Sequence, residues 1–153
     1  MLYTITPTLD IILPMIDIDN KTSLEVNKTL LQKITTTLTQ KDIELIITSN
    51  DEIQQINKEY RNIDKATDVL SFPYEAMPMS PLGSIVISAD SVIATAKELG
   101  HTQEDEFTLL FIHGLLHLLG YDHEIDNGEM RQEEERLIHT FNLPKSLIVR
   151  TQG

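Results

Sequence analysis

His113-Gly114-Leu115-Leu116-His117-Leu118-Leu119-Gly120-Tyr121-Asp122-His123 is the stretch from which the rest of the chain can be read. Upstream of it run Phe107, Leu109, Leu110, Phe111 and Ile112, so the segment predicts a helix apolar nearly all round, and therefore buried in a core. Thr102-x-x-Asp105 is its start signal, with Glu104, Asp105 and Glu106 near the positive end of the helix dipole. His113 and His117 stand four residues apart, about 40° around the axis and one turn along it, so two imidazoles present one face to one ion. Gly120 ends the helix, because glycine accepts a left-handed backbone, and the chain can then bring His123 to the same ion. Three neutral nitrogen donors with an open fourth position are the ligand set of a catalytic zinc site, where bound water has a pKa near ~7. A lone histidine on an apolar helix is usually a core residue with one hydrogen bond. Three of the protein's five on so apolar a segment would be costly to bury unpartnered.

The spacing also fits the metzincin protease pattern H-E-x-x-H-x-x-G-x-x-H. A protease carries glutamate after the first histidine as general base for the zinc-bound water. Gly114 has no side chain to take that proton, so peptide hydrolysis by that route is disfavoured.

The remaining elements alternate between strand and helix signals. Residues 2–18 mix β-branched and apolar residues with Pro7 and Pro14 and read as one strand. Thr22-Ser23-Leu24-Glu25 is a capping box, followed by Leu24, Leu31, Ile34 and Leu38 at helical spacing, which predicts a helix over 23–40. Ile43 to Thr48 is a strand, and Ser49-x-x-Glu52 opens a helix with Ile53, Ile56 and Tyr60 inward. Val69 to Phe72 is a strand stopped by Pro73, residues 74–82 are a loop, and Gly83 to Ser88 is another strand. Ser88 or Asp90 caps a helix to Leu99, closed by Gly100. Asp126 or Asn127 caps a last helix reaching about Phe141, with Met130, Leu137, Ile138 and Phe141 inward and Glu133 to Glu135 mostly solvated. His139, near the end of that helix, reads as structural. The fold class is α+β, a small mixed β-sheet against about five helices, in one domain spanning 1–153.

Composition narrows the function. With no cysteine there is no disulfide, thiolate ligand or cysteine nucleophile, and no apolar run approaches the ~20 residues of a membrane span. Met1 to Asp10 lacks a signal-peptide pattern, so the expected location is the cytoplasm, with no membrane partner. A net charge of −12 opposes indiscriminate nucleic-acid binding but leaves room for the local cluster Lys58, Arg61, Lys65.

That cluster lies in a second motif, Tyr60-Arg61-Asn62-Ile63-Asp64-Lys65-Ala66-Thr67-Asp68-Val69-Leu70-Ser71-Phe72-Pro73. Taken together, the two motifs, about 25 residues in matching order and spacing, make the chain resemble the YbeY family of bacterial rRNA-maturation endoribonucleases. The resemblance implies an α+β fold with a zincin-like metal helix and one zinc ion per chain on His113, His117 and His123. It also implies a functional arginine at Arg61, with ribosomal RNA as substrate in small-subunit 3′-end processing and quality control. Family members usually carry Gly-Asp where this chain has Gly83-Ser84, so Ser84 is not assigned to the site.

Phosphodiester cleavage needs positive charge beside the metal, and the arginine fork matches phosphate oxygens. From sequence alone Arg61 reads as a surface ion pair with Asp64 or Glu59; the resemblance reverses that preference. Lys58 and Lys65 either position the RNA backbone or form a solvated face. Thr67, Asp68 and Ser71 are cleft candidates. Asp122 and Glu124 are weak candidates for orienting a histidine or accepting a proton, and Asp122 also fits a turn cap. Two other readings stay open: a metal-dependent hydrolase of another substrate, and a non-catalytic ribosome-associated module with a structural zinc. A ribosomal or assembly protein is a candidate partner for the acidic surface.

Overall fold

The computed structural model describes residues 13–77, 79–145 and 147. Four strands form one sheet: β1 (Ile16–Asn20), β2 (Ile43–Thr48), β3 (Val69–Pro73) and β4 (Gly83–Ser88). Their spatial order is β1-β2-β4-β3, with β1, β2 and β4 parallel and β3 antiparallel at the edge. Five helices accompany them: α1 (Lys28–Leu38), α2 (Asn50–Arg61), α3 (Ala89–Leu99), α4 (Gln103–Leu118) and α5 (Glu129–Thr140). The mixed sheet and helix complement match the expected α+β class.

The central strands β2 and β4 are apolar runs because helices cover both faces of the sheet. On one face Ile43, Leu45, Ile47, Ile85 and Ile87 meet Phe111, Ile112 and Leu115 of α4, and α1, α3 and α5 complete that core. The other face carries the smaller cluster of Leu70 and Val86 under Ile53 of α2. As expected from its composition, α4 is buried almost throughout and is the central helix of the larger core. Among the described residues, no helix is long and apolar enough to cross a membrane.

Caps agree with the sequence at three helices. The side chains of Ser49, Ser88 and Thr102 accept from the amides of Glu52, Ser91 and Asp105. Asp90, the alternative cap for α3, accepts from the Asn50 amide instead and ties the start of α2 to it.

Four expectations need correction. The first helix does not start at 23: the Thr22 hydroxyl accepts from the Leu24 amide in a local turn, and Asn27 caps α1 through Leu30. That turn drops Leu24 into the core. The strand expected within 2–18 runs from Ile16 to Asn20, where the Ile16-Asp17-Ile18-Asp19 alternation begins after Pro14; residues 1–12 lie outside the described residues. Tyr60 is 67% exposed rather than inward, because its ring lies edge-on against Phe72 at the rim of the sheet. The last helix starts at Glu129 behind Gly128, although the Asp126 carboxylate does accept from the Gly128 and Met130 amides. Those two amide bonds, Met130 first, hold the Asp126 carboxyl below its ordinary value.

Candidate metal centre

The end of α4 shapes the site. Gly120 adopts φ +97°, its amide donates to the His117 carbonyl, and the Tyr121 amide donates to Leu116. This is the Schellman arrangement that satisfies the last helix carbonyls. It turns the chain sharply, returning His123 toward the helix and setting the Tyr121 carbonyl 2.9 Å from His117 Nδ1.

His113, His117 and His123 converge. Their ring centroids are 4.6, 5.6 and 5.8 Å apart, and one nitrogen from each lies within 4.8 Å of the others. The Nε2 atoms of His113 and His117 are only 3.0 Å apart. The Tyr121 carbonyl can only accept, so His117 keeps its proton on Nδ1, leaving Nε2 a bare lone pair. His113 Nδ1 is likewise held at 2.9 Å by the Glu134 carboxylate. The imidazoles of His113, His117 and His123 thus converge their nitrogens on one point, His117 with a bare lone pair. The donor set fits a divalent metal ion. Burial, followed by His113 and His123, holds the His117 imidazole below its ordinary 6.5, against the opposing pull of the Tyr121 carbonyl and Asp122. At neutral pH it is in the form that binds metal.

Glu134 is the functional residue that sequence reading missed. It was expected among solvated glutamates of the last helix but is 5% exposed, on the inward side of α5 beside Met130 and Ile138. The four-residue step from Met130 to Glu134 was the available signal, since it puts the carboxylate on the buried stripe. Asp122 makes no hydrogen bond to a histidine among the described residues, and Glu124 lines the histidine cleft. The Asp122 carboxylate accepts from the Glu124 amide, and its carbonyl from those of Ile125 and Asp126, so it is a turn residue. A carboxylate on the outer nitrogen of a metal-binding histidine orients the ring and raises its basicity. Glu134→Ala is expected to weaken zinc binding about 10- to 100-fold in competition with a chromophoric chelator; an unchanged affinity would reduce Glu134 to a packing residue.

The histidines open onto a cleft of about 430 Å³ that Arg61, Thr67, Asp68 and Ser71 also line, with Glu124 at its margin. Thr67, Asp68 and Ser71 are therefore where the sequence expected them. Arg61, the last residue of α2, reaches around the sheet edge. It donates from Nη2 to the Ser71 carbonyl at 2.8 Å, and its guanidinium sits 5.5 Å from the Phe72 ring centroid. It makes neither of the ion pairs that sequence alone favoured. Asp64 instead meets Lys58 at 4.0 Å and Gln54 at 3.0 Å. Lys58 and Lys65 are exposed and do not line the cleft.

Ser84 lies outside the cleft, on the sheet face opposite α4. Its hydroxyl donates to Glu44 Oε2 at 2.9 Å across the β2–β4 pair and also meets the Tyr74 hydroxyl. A carboxylate is thus present beside position 84, supplied by the neighbouring strand.

Three histidines at the end of a buried helix, beside a cleft that Arg61 also lines, could hold a metal ion next to an anionic substrate. A profile described as Endoribonuclease YbeY matches residues 14–142. Relatives of the same description include a Sulfurimonas denitrificans protein, 64% identical over 139 residues (91% of this chain, 100% of that one). Another, from Helicobacter pylori, is 57% identical over 139 residues (90% and 99%). The solution structure of TM1509 from Thermotoga maritima is similar with a TM-score of 0.57 and 30% identity, covering 83% of this chain and 89% of that one. The chain belongs to the YbeY endoribonuclease family, a family of RNA-cleaving hydrolases. The resemblance read from the two motifs is borne out.

Proposed function

We propose that the chain is a zinc-dependent endoribonuclease acting on single-stranded ribosomal RNA, in 3′-end maturation of the small-subunit rRNA, with one ion per chain on His113, His117 and His123. The observation that carries this reading is the convergence of the His113, His117 and His123 nitrogens in a cleft that Arg61 also lines. Zinc bound there supplies Lewis-acid polarisation and acidifies water. The protein's own groups do the rest. His113 and His117 keep their protons on Nδ1, against Glu134 and Tyr121, so both rings stay oriented. Arg61 binds non-bridging phosphate oxygens with the N–H groups left free by Ser71 and is the catalytic side chain of the reading. Gly114 and the Ser71 hydroxyl, bonded to each other at 3.0 Å, set the cleft wall and take no part in proton transfer.

The compartment is the cytoplasm, and the acidic surface suits a basic ribosomal or assembly protein as partner. The test is cleavage of an rRNA precursor fragment by zinc-loaded protein, compared with chelated protein and with His117→Ala. Discrete internal cuts by the loaded wild type alone are expected. Cuts that survive both treatments would point to a contaminating nuclease and overturn the reading; RNA binding without cutting would favour a non-catalytic module.

A further inference from the structure

Tyr60 is an exposed aromatic that the core does not use. Its ring contacts Phe72 edge-on at 5.6 Å, and the Arg61 guanidinium rests on the same Phe72 ring at 5.5 Å. Phe72 is therefore a shared base that places the Tyr60 ring and the Arg61 cation at most about 11 Å apart at the sheet edge, with Arg61 lining the cleft and Tyr60 outside it. The protein has no tryptophan and only eight other-than-histidine aromatics, and Tyr60 is 67% exposed. Packing does not account for that: an edge-to-face contact with Phe72 leaves most of the phenol ring uncovered, an outlay of apolar surface that a shorter aliphatic residue avoids.

Single-stranded RNA presents what such a ring binds. Unpaired bases splay out and stack on aromatic side chains, while the backbone runs over positive charge. We infer that Tyr60 is a base-stacking platform for the substrate, receiving the unpaired base of a nucleotide next to the phosphate held by Arg61. This rests on the nuclease reading above and adds a substrate-positioning residue to it. A helical duplex keeps its bases stacked on one another and has none to offer, so the Tyr60 contact selects single strands. It distinguishes poorly between bases, because every base has a π-face. The rigid helical step from Tyr60 to Arg61 couples the two contacts: the base seated on the ring sets which phosphate reaches the guanidinium.

The experiment uses the full chain with a short single-stranded RNA carrying 2-aminopurine at successive positions, whose fluorescence is quenched on stacking. Binding is followed in chelator, which keeps the RNA intact, and cleavage kinetics are followed with zinc. Tyr60→Phe is expected to keep quenching and cleavage. Tyr60→Leu, which still covers Phe72 but has no π-face, is expected to lose the quenching and to raise KM about 5- to 100-fold with kcat largely kept. Thermal melting of both variants checks that each is folded. Equal quenching and KM in Tyr60→Leu and wild type would overturn the inference and leave the nuclease reading standing. Tyr60-dependent quenching without cleavage by the zinc-loaded wild type would overturn the nuclease reading and keep the base contact. Absence of any RNA binding would overturn both.

Discussion

Replacing Gly114 with glutamate is expected to unfold the protein, not to convert it into a peptidase. This substitution writes the protease pattern into the helix, but the space it needs is filled. A Cβ built on Gly114 would stand 2.9 Å from Ile85 Cγ2, 3.2 Å from Ser71 Oγ and 3.3 Å from Val69 Cγ2. Ile85 is fully buried in the centre of the sheet and cannot withdraw. The helix is held at this distance by the Ser71 hydroxyl, which donates to the Gly114 carbonyl. A longer side chain must push α4 away from β3 and β4, and it would also bury a carboxylate with no partner. Overpacking and burial together cost at least about 3 kcal/mol, a large part of the ~5–15 kcal/mol that holds a domain folded. Gly114→Ala is a milder control, in which overpacking exceeds the gain of about 1 kcal/mol in helix propensity. Circular dichroism against denaturant measures both. A Gly114→Glu protein as stable as wild type would mean that α4 does not approach the sheet this closely.

Arg61→Ala is expected to lower kcat for RNA cleavage by about 10²- to 10³-fold while leaving the fold intact. Three features of the site motivate this magnitude. The guanidinium is pre-positioned by the Ser71 carbonyl and the Phe72 face, so little reorganisation accompanies the reaction. It lines the same cleft as the histidines. Its contacts are a carbonyl and a ring face, which leave guanidinium N–H groups for phosphate. A pre-organised cation with N–H groups to spare stabilises charge that develops on phosphate more than charge already present, so the loss falls on kcat more than on KM. Arg61→Lys keeps the charge but not the planar fork, and is expected to recover only part of the rate. Single-turnover kinetics with all three proteins separate these outcomes. Arg61→Ala turning over at the wild-type rate would remove the arginine from the chemistry and return it to holding the edge strand.

Local rules were enough for most elements. β2 and β4 were legible residue for residue because largely covered strands are mostly apolar, here interrupted only by Glu44 and Ser84 before the closing Thr48 and Ser88. Ser49, Ser88 and Thr102 marked helix starts because a short hydroxyl three residues before a free amide satisfies it locally. The metal helix and its three histidines were legible for the same reason: helix periodicity and a terminating glycine are properties of neighbouring residues. Signals failed where two local rules competed. Thr22 and Asn27 are both good caps, and the choice fell to Asn27 because Leu24 had a core to enter.

Contacts between distant segments were not legible at all. Glu133, Glu134 and Glu135 are identical in type, and Glu134 differs only because α5 lies across α4 and brings its carboxylate to His113, twenty-one residues away. Arg61 has two acidic neighbours in sequence, Glu59 and Asp64, yet its contacts are a carbonyl and a ring of β3, set by how α2 meets the sheet edge. Tyr60 continued the helical stripe of Ile53 and Ile56 and looked inward, but the sheet ends beneath it. The chain's own order thus specified which residues come together as candidate metal ligands, since backbone geometry within one helix and its turn carries that information. Which carboxylate orients them, which cation faces them and which ring stands free at the rim depended on the packing of helices against the sheet, a balance of burial over segments far apart in the chain.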